Sequence, residues 1–396
     1  MTNENVSNED QKAIDRLNHL FKIQNEAFLK NSYPSAKERI ELMKVVPDML
    51  RHYRTKIIEA LHTDFGGHSE DASDLFEILG MFDRSKYNIA NVEKWMKPIA
   101  KEGNPVTQGK SKAYVKYHPK GVIGNMVSWN FPFDIALGPM LDQLGAGNRV
   151  IIKSSDLSPA SGAVLQEMLL KTYNEDQVAV VNWGLDLAKY FPTLPWNHLI
   201  YTGSGTVGRL IMKAAAENLV PVTLELGGKS PSIVGPDRIT DETIATIAGV
   251  KVVKRGQMCV TVDYCLVPEA EKDVFVDKIA NYMQTHFAKD NARNHACGII
   301  TQRHVKRLQG LVDEAKASGA KVIQIGNDLK DGSRDMPFYI VVDPSDDLQM
   351  IREEIFGPIL PIKTYKTTQD AIDYINKMTD HWDYMYFLMI VNLLMT

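Results

Sequence analysis

From residue 121 onward the chain alternates between short runs of β-branched residues and segments with helical spacing. The runs GVIGNMVS (121–128) and RVIIKS (149–154) are each followed by a helical segment, and VAVVNW, HLIYTG and PVTLEL continue the pattern. Strands that alternate with helices of this length form mostly parallel sheets covered by helices. The alternation constrains the fold more than any other feature, because it predicts the α/β class.

A second alternating set begins after residue 228, and the Gly227–Gly228 pair separates it from the first. We therefore predict a domain boundary near residues 226–230. One domain is expected over residues 1–226 and a second over residues 227–377.

The part of the chain before this alternation has a different pattern of apolar residues. Its first hundred residues carry apolar side chains at helical spacing and are predicted to form helices. Residues 103–119 begin with Gly and Pro and continue with Tyr114, Val115, Lys116 and Tyr117. This pattern predicts a short β-hairpin arm.

The composition is that of a soluble globular protein. The 396 residues are 44% hydrophobic and 24% charged, with a formal net charge of −4. This balance excludes a disordered chain and a strongly basic nucleic-acid binder. The three cysteines are too few and sparse for a disulfide framework, and the first residues lack an apolar signal core, so we expect a reducing, cytoplasmic location.

Membrane association is not expected from the sequence. No apolar run reaches the roughly 20 residues that a membrane-spanning helix requires. The nearest is the apolar stretch at residues 384–396, which is short and has no basic flank.

The strongest cofactor signal is Gly203-Ser204-Gly205-Thr-Val-Gly208, between a predicted strand and a predicted helix. Such a turn lets backbone N–H groups and a helix N-terminus face a pyrophosphate, although a plain tight turn can have the same pattern. It follows at least three strands rather than the first, so an ordinary Rossmann arrangement fits poorly. The Gly-Lys-Ser triplets at 109–111 and 228–230 lack the first glycine of a P-loop.

Cys259 lies in Gly256-Gln-Met-Cys, at the step from a predicted helix into a strand. A cysteine inside a cell is most often a small buried hydrophobe, but a glycine just upstream favours an accessible nucleophile here. Cys265 and Cys297 keep the structural interpretation. The spacing of the three cysteines and His295 does not match a zinc site, so we expect no metal.

Four stretches together resemble the aldehyde dehydrogenase superfamily over roughly residues 10–377. They are VSWNFPFDIALGPMLDQLGAGNRVIIKSSDLSP, TGSGTVGRLIMKAAAENLVPVTLELGGKSP, GQMC and EEIFGPILPI. The resemblance is greatest to coniferyl aldehyde dehydrogenases and the class 3 branch. It implies two α/β domains, with residues 1–226 as the NAD(P)-binding domain, the arm at 103–119 serving oligomerisation, and residues 227–377 as the catalytic cysteine domain.

The resemblance also implies a reaction and roles for individual residues. The reaction is the oxidation of an aromatic or medium-chain apolar aldehyde to its carboxylic acid, with NAD as cofactor and NADP as the alternative. The implied catalytic residues are the nucleophile Cys259, the general base Glu225 and the oxyanion donor Asn130. The implied cofactor-binding residues are Trp129, Lys153, Asp156, Gly203, Ser204, Gly208, Glu354 and Phe356.

These roles form a consistent chemistry. A Cys259 thiolate adds to the aldehyde carbon, and the resulting oxyanion needs fixed donors such as an amide. The thioester that remains after hydride loss needs a carboxylate such as Glu225 to activate water, which argues against a CoA-acylating relative. Asp156 beside the ribose would repel a 2′-phosphate, so we expect NAD to be preferred over NADP.

The sequence departs from the family in two places near Cys259. Lys254 and Arg255 stand where an asparagine is common, and Met258 replaces the common threonine. Cations that point inward would lower the pKa of Cys259. We expect at least one of the two to be solvated.

The end of the sequence departs further. MTDHWDYMYFLMIVNLLMT (378–396) replaces the family's continuation, and DNA encoding residues 379–392 can be read in another frame as RPLGLYVFSNDSK, which resembles that continuation. The hypothesis is a one-base frame change near residues 376–380 that leaves the second domain incomplete. It predicts a poorly soluble or inactive chain, with a homodimer only for an intact one. The alternative function is a catalytically impaired cofactor-binding fragment.

Overall fold

The computed structural model describes residues 8–104, 106, 109, 111–182, 184–288 and 297–379. The chain divides into two compact units. The first consists of Met1–Ala60 and Ser73–Glu225, and the second of Leu61–Ala72 and Leu226–Thr396. The two therefore separate between Glu225 and Leu226, beside the predicted boundary region. The segment Leu61–Ala72 belongs to the second unit, although it lies inside the predicted first domain.

Hydrogen bonds to residues far along the chain explain why Leu61–Ala72 belongs to the second unit. The Asp64 carbonyl accepts a hydrogen bond from Nη1 of Arg334 at 2.6 Å, and the Gly67 carbonyl accepts one from the N–H of Gly298 at 3.3 Å. Such long-range contacts are not visible in a local sequence pattern.

Helices dominate the first hundred residues. They lie at Asn8–Lys30, Ala36–Lys44, Val46–Phe65, Glu70–Ser73 and Gly80–Trp95, with a π-helical turn at Asp74–Leu79. In the first helix Ile14, Leu17 and Leu20 form a buried stripe at the predicted helical spacing. The second helix begins at a capping box, in which Ser35 and Glu38 satisfy each other's backbone N–H groups.

A small antiparallel sheet follows these helices. Strand β1 (Ile99–Lys101) pairs with β2 (Ala113–Val115), with Ile99 opposite Val115. Strand β2 falls inside the predicted arm at 103–119, whereas β1 precedes it. Residues 105, 107, 108 and 110 of that range lie outside the described residues.

The main sheet of the first unit has the order β5-β4-β3-β6-β7. Its strands are β3 (Val122–Met126), β4 (Arg149–Lys153), β5 (Val178–Val181), β6 (His198–Gly203) and β7 (Val222–Leu226). Strand β3 pairs in parallel with both β4 and β6, and β5 pairs in parallel with β4. In chain order, β4 and β5 are added on one side of β3, and β6 and β7 are then added on the other side. In open α/β sheets the carboxyl ends of strands at such a reversal are where ligands bind.

Helices alternate with these strands as predicted. They lie at Asp134–Gly145, Pro159–Thr172, Leu185–Tyr190 and Gly205–Ala216, with a 3-10 turn at Phe191–Thr193. Every residue of β3 and β5 is buried, as expected for parallel strands covered on both faces.

The sheet of the second unit has the order β10-β11-β12-β9-β8. Its strands are β8 (Pro231–Ile233), β9 (Tyr264–Pro268), β10 (Lys321–Ile325), β11 (Phe338–Val342) and β12 (Ile359–Tyr365). Neighbours pair in parallel, except that β10 is antiparallel to β11. The sheet is therefore mostly parallel, in agreement with the predicted fold class.

Both faces of this sheet are covered. The helices lie at Asp241–Val252, Lys272–His286, Gln302–Ala317, Gln349–Arg352 and Thr368–Thr379, and 3-10 turns lie at Val253–Gly256 and Glu269–Glu271. Ile340 packs with Phe275 in one core cluster, whereas its neighbour Val341 packs with Leu308 in another. Adjacent strand residues point to opposite faces, so each face has its own hydrophobic core.

Among the described residues, no helix combines the length and the apolar composition needed to cross a bilayer. The apolar tail predicted at 378–396 lies outside the described residues from position 380 onward.

Candidate active site

The turn after β3 carries Asn130. Its side chain is buried, and the Ser128 hydroxyl donates a 2.6 Å hydrogen bond to Oδ1 of Asn130. An amide carries its oxygen and its nitrogen on opposite edges, so Ser128 fixes the direction in which Nδ2 donates. A buried amide nitrogen with a fixed direction suits an oxyanion donor. The adjacent Trp129 is half-buried.

A buried carboxylate holds the other end of this turn. Glu77 is fully buried on the π-helical turn, and its Oε2 accepts hydrogen bonds from the N–H groups of Phe133 and Asp134, both at 3.1 Å. These N–H groups begin the helix Asp134–Gly145, where a negative charge is favourable. π-helical turns are often found at functional sites.

The sequence interpretation missed Glu77. Its signal is an acidic residue inside the apolar run DLFEIL (74–79), where burial requires a partner. The partner lies more than fifty residues further along the chain, so the local pattern could not identify it.

Lys153 ends β4 and is buried. Its Nζ donates to the Ser154 carbonyl at 2.9 Å and to Oδ1 of Asp156 at 3.2 Å. Burial lowers the pKa of Lys153, and the nearby Asp156 carboxylate partly offsets this. The two residues predicted to hold the adenosine ribose therefore contact each other, and the Asp156 side chain remains about half exposed.

The glycine-rich turn follows β6 as predicted. Ser204 caps the helix Gly205–Ala216, because its hydroxyl accepts the N–H of Val207 at 3.4 Å. A side chain at Gly203 would overlap the Tyr201 phenol, and Gly208 is buried. Glycine at 203 therefore leaves room for the Tyr201 phenol, and the turn leads into a helix N-terminus, where negative charge is favoured.

Asn130, Lys153 and Gly203 lie after or at the ends of three adjacent parallel strands, β3, β4 and β6. Carboxyl ends of parallel strands share one edge of a sheet, so this edge collects the predicted oxyanion donor and predicted cofactor-binding residues of the first unit. Glu225 lies on the outer strand β7, at an exposed position.

Cys259 is exposed and follows a short left-handed stretch of backbone. The φ angles of Lys254, Arg255 and Gly256 are +45°, +54° and +73°. Non-glycine residues rarely adopt such angles unless surrounding contacts impose them. Gly256 also packs on Gly357, because an added Cβ would overlap the carbonyl of Gly357. The loop that carries Cys259 therefore contacts the E-E-I-F-G-P segment.

The buried amide of Gln257 fixes this loop. It donates to the carbonyls of Lys254 at 2.9 Å and Gly298 at 3.0 Å, and it accepts the N–H of Ile300 at 3.0 Å. Both ends of the amide are thus satisfied, and the residue two positions before Cys259 is anchored. Gln257 belongs to the Gly256-Gln-Met-Cys motif, but a role for it requires the contacts with Gly298 and Ile300, which lie about 40 residues further along the chain.

The expectation that Lys254 or Arg255 is solvated is wrong, since both are buried. Nε of Arg255 donates to the Cys297 carbonyl at 2.7 Å, and its Nη2 pairs with Asp335. Nζ of Lys254 lies 5.0 Å from the Phe65 ring centre. The carbonyl and carboxylate oxygens that face Arg255 and the aromatic ring near Lys254 offset the cost of burying these two positive charges.

The other two cysteines are buried. Burial raises the pKa of the Cys265 thiol to about 12, with the nearby Lys251 opposing that change. A thiol with such a high pKa is a poor nucleophile.

Glu354 is a carboxyl group with a strongly shifted pKa. Burial, followed by the negative charge of Asp263, raises the pKa of Glu354 to about 8, although the N–H of Gly228 and the cations Lys229 and Arg307 oppose the shift. Strongly shifted pKa values cluster at functional sites.

The surroundings of this carboxyl group are tight on one side. An added Cβ at Gly227 would overlap Oε2 of Glu354, so a side chain there would displace the carboxyl group. Oε1 is buried and has no hydrogen-bond partner among the described residues. Phe356, two residues on, has a φ of +48° and is half-buried.

Within the described parts of the chain, no three or more His, Cys, Asp or Glu side chains form a group that could hold a metal ion.

Comparison with known proteins identifies the family to which this chain is similar. The model of the aldehyde dehydrogenase family matches residues 2–379. A probable coniferyl aldehyde dehydrogenase of Caulobacter vibrioides is 38% identical over 380 residues, which cover 94% of this chain and 78% of that protein. Aldehyde dehydrogenase family 3 member F1 of Arabidopsis thaliana is 33% identical, covering 89% of this chain and 73% of that protein.

Solved structures show the same fold. The substrate-bound state of Staphylococcus aureus AldH is 28% identical, with a TM-score of 0.85 over 91% of this chain and 78% of that chain. A Mycobacterium tuberculosis aldehyde dehydrogenase complexed with NAD+ is 23% identical, with a TM-score of 0.79 over 92% of this chain and 80% of that chain. With matches of this extent, the interpretation as a catalytically impaired fragment is not favoured.

Proposed function

The chain belongs to the aldehyde dehydrogenase family, and on that premise we propose that it oxidises an aromatic or medium-chain apolar aldehyde to the carboxylic acid. The observation that carries the proposal is the exposure of Cys259 on a loop whose preceding residues, Gly256 to Met258, are all buried. A nucleophile needs open approach and a fixed position, and this loop provides both. The names of the coniferyl aldehyde dehydrogenases support the substrate class.

The residues present fit a nicotinamide dinucleotide. The turn from Gly203 to Gly208 leaves a helix N-terminus for the pyrophosphate, Lys153 and Asp156 are available to the adenosine ribose, and the unpartnered Oε1 of Glu354 is an acceptor for a ribose hydroxyl. Trp129 and Phe356 complete the proposed cofactor-binding set. NAD, when bound, accepts a hydride from the substrate carbon.

The protein's own residues perform the remaining steps. The Cys259 thiolate attacks the aldehyde carbon and forms a C–S bond, while the carbonyl oxygen gains the negative charge. Asn130 donates a hydrogen bond to that oxygen from its fixed amide nitrogen. Glu225, exposed on β7, takes a proton from the water that hydrolyses the thioester, which releases the acid and restores the thiolate.

NAD is the proposed preferred cofactor. Asp156 places a carboxylate beside Lys153, so a 2′-phosphate there would meet a negative charge and a cation that is already paired. The homodimer and the cytoplasmic location expected from the sequence remain predictions, which size-exclusion chromatography and cell fractionation would test.

NADH formation, followed by absorbance with coniferyl aldehyde and with a medium-chain aliphatic aldehyde, tests the function. Cys259→Ser is expected to abolish the activity, whereas Cys265→Ala, which removes a buried thiol, is expected to retain it in folded protein. NADH formation by Cys259→Ser at the wild-type rate would disprove the nucleophile assignment. A higher kcat/KM with NADP than with NAD would disprove the cofactor preference.

A further inference from the structure

The second unit contains a buried ion pair that the proposed mechanism does not use. The side chains of Lys229 and Asp263 are only 4% and 1% exposed to solvent, and they contact each other directly. Removing two charges from water is costly, and their attraction repays that cost only when additional hydrogen bonds satisfy them. The partners of these hydrogen bonds therefore indicate what the pair does.

Those partners lie on both sides of Glu354. Nζ of Lys229 donates to the carbonyl of Glu353 at 3.1 Å, and Oδ1 of Asp263 accepts the N–H of Ile355 at 3.0 Å. Lys229 also donates to the carbonyl of Met350 at 2.7 Å. The peptide groups before and after Glu354 are thus both bound to the pair, which fixes the backbone from which the Glu354 side chain projects.

We propose that the Lys229–Asp263 ion pair is a positioning device that aims the Glu354 carboxyl group at the nicotinamide ribose. The inference rests on the proposed function, because Glu354 is a cofactor ligand only if the chain binds NAD. Neither Lys229 nor Asp263 is a catalytic residue in this proposal, since both hold the backbone of the loop Glu353–Pro358 and influence the Glu354 carboxyl group only by their charges.

The side chain of Glu354 shows why aiming matters. One oxygen packs against Gly227, and the other is buried without a partner among the described residues. The absence of a side chain at Gly227 leaves room for the carboxyl group in this position, and a displacement of the Glu354 backbone would move the acceptor away from it. Displacements of about 1 Å can reduce the effect of a positioned group roughly 100-fold.

Lys251 offers a matched control. It is also a fully buried lysine, and its charge acts on both Asp263 and Glu354. Its hydrogen bond, however, goes to the carbonyl of Val262 at 3.0 Å rather than to the loop. Comparing Lys229→Met with Lys251→Met therefore separates the hydrogen bonds to the loop from the effect of removing a buried cation.

The test measures three properties of the full-length protein: NADH binding by fluorescence, hydrolysis of 4-nitrophenyl acetate without cofactor, and the melting temperature. Lys229→Met is expected to weaken NADH binding about 10- to 100-fold, with ester hydrolysis close to wild type because that reaction needs Cys259 but no cofactor. Lys251→Met is expected to bind NADH as the wild type does.

Lys229→Met leaves Asp263 unpaired in the interior, so a second variant guards against misfolding. The double variant Lys229→Met with Asp263→Leu removes both charges, and apolar replacement of a buried ion pair is often tolerated. It is expected to show the same selective loss of NADH binding.

Two results would overturn the inference. One is wild-type NADH binding by folded Lys229→Met or by the double variant. The other is a parallel loss of ester hydrolysis and NADH binding, which would indicate a general structural role. A wild-type protein that neither hydrolyses the ester nor reduces NAD with an aldehyde would instead count against the proposed function itself.

Discussion

The turn that carries Asn130 and the loop that carries Cys259 are held in different ways. The Asn130 turn has side-chain acceptors and donors at both ends, Ser128 and the Glu77 carboxylate, and the turn leads directly into a helix. The Cys259 loop instead has three successive left-handed residues and one buried amide, Gln257, that ties it to its surroundings.

The difference corresponds to what each residue is proposed to do. A hydrogen-bond donor must be aimed, so Asn130 is buried and its oxygen is engaged by Ser128. A nucleophile must be reachable, so the loop buries the residues before Cys259 and leaves the thiol exposed. A strained backbone achieves this because it turns the chain sharply within a few residues.

The largest expected effect comes from Gly256→Ala. A Cβ there would overlap the carbonyl of Gly357 at a positive φ, so neither side-chain rotation nor a small shift relieves the contact. We expect a loss of about 3 kcal/mol or more in the free energy of unfolding, measured by urea denaturation.

Gly249→Ala is the matched control, since Gly249 lies in the helix Asp241–Val252 with open space around its Cα. It should be neutral or stabilise by about 0.5–1 kcal/mol. Equal stability of the two alanine variants would show that the Gly256–Gly357 contact does not constrain the loop.

Gln257→Ala should have the next largest effect. It leaves the Gly298 carbonyl and the Ile300 N–H without their partner in a buried place, at a cost of about 2–3 kcal/mol. Gln302→Ala removes an exposed amide that donates to two carbonyls at 2.7 and 3.1 Å, and it should cost less than about 0.5 kcal/mol. Thermal unfolding of both variants checks the difference, and comparable losses would contradict the importance assigned to burial.

Glu77→Gln tests the other side of the comparison. The amide keeps the shape and one acceptor but removes the charge that faces the helix N-terminus, so we expect a destabilisation of about 1–2 kcal/mol. Because the turn would loosen around Asn130, kcat should fall about tenfold for both aldehyde oxidation and ester hydrolysis. A drop in stability with unchanged kcat would limit Glu77 to a structural role.

Ser128→Ala should have the smallest effect. Loss of one hydrogen bond to Asn130 is expected to lower the free energy of unfolding by about 0.5–1 kcal/mol. It should lower kcat severalfold for both aldehyde oxidation and ester hydrolysis. Ser128→Thr keeps the hydroxyl and should restore kcat. If the Ser128→Thr variant folds normally but does not restore kcat, the hydroxyl is not the group that orients the Asn130 amide.

The sequence predicted the parallel sheets well for a physical reason. Strands such as β3 and β5 are buried on both faces and therefore appear as continuous apolar runs bounded by helical segments. The order of the strands, with its reversal beside β3, was not predicted, because pairing between strands distant along the chain leaves no local pattern.

What escaped prediction depends on contacts between distant parts of the chain. The helix Asp241–Val252 ends just before Lys254 and Arg255, which adopt left-handed backbone and contact residues far along the chain. The ion pair of Lys229 and Asp263 was hidden for the same reason. Lys229 was visible in a Gly-Lys-Ser triplet, and Asp263 stood as a single acid beside an apolar strand, but nothing local joined them.

The division of the helix Val46–Phe65 between the two units has a consequence for synthesis on the ribosome. A chain emerges from its N-terminus and its domains tend to fold in that order. Residues 61–72 emerge early, yet Arg334 and Gly298, which bind Asp64 and Gly67, emerge more than 200 residues later. The nascent chain must therefore carry this segment without its final neighbours while the first unit is completed, and a fragment ending at Glu225 would never acquire them.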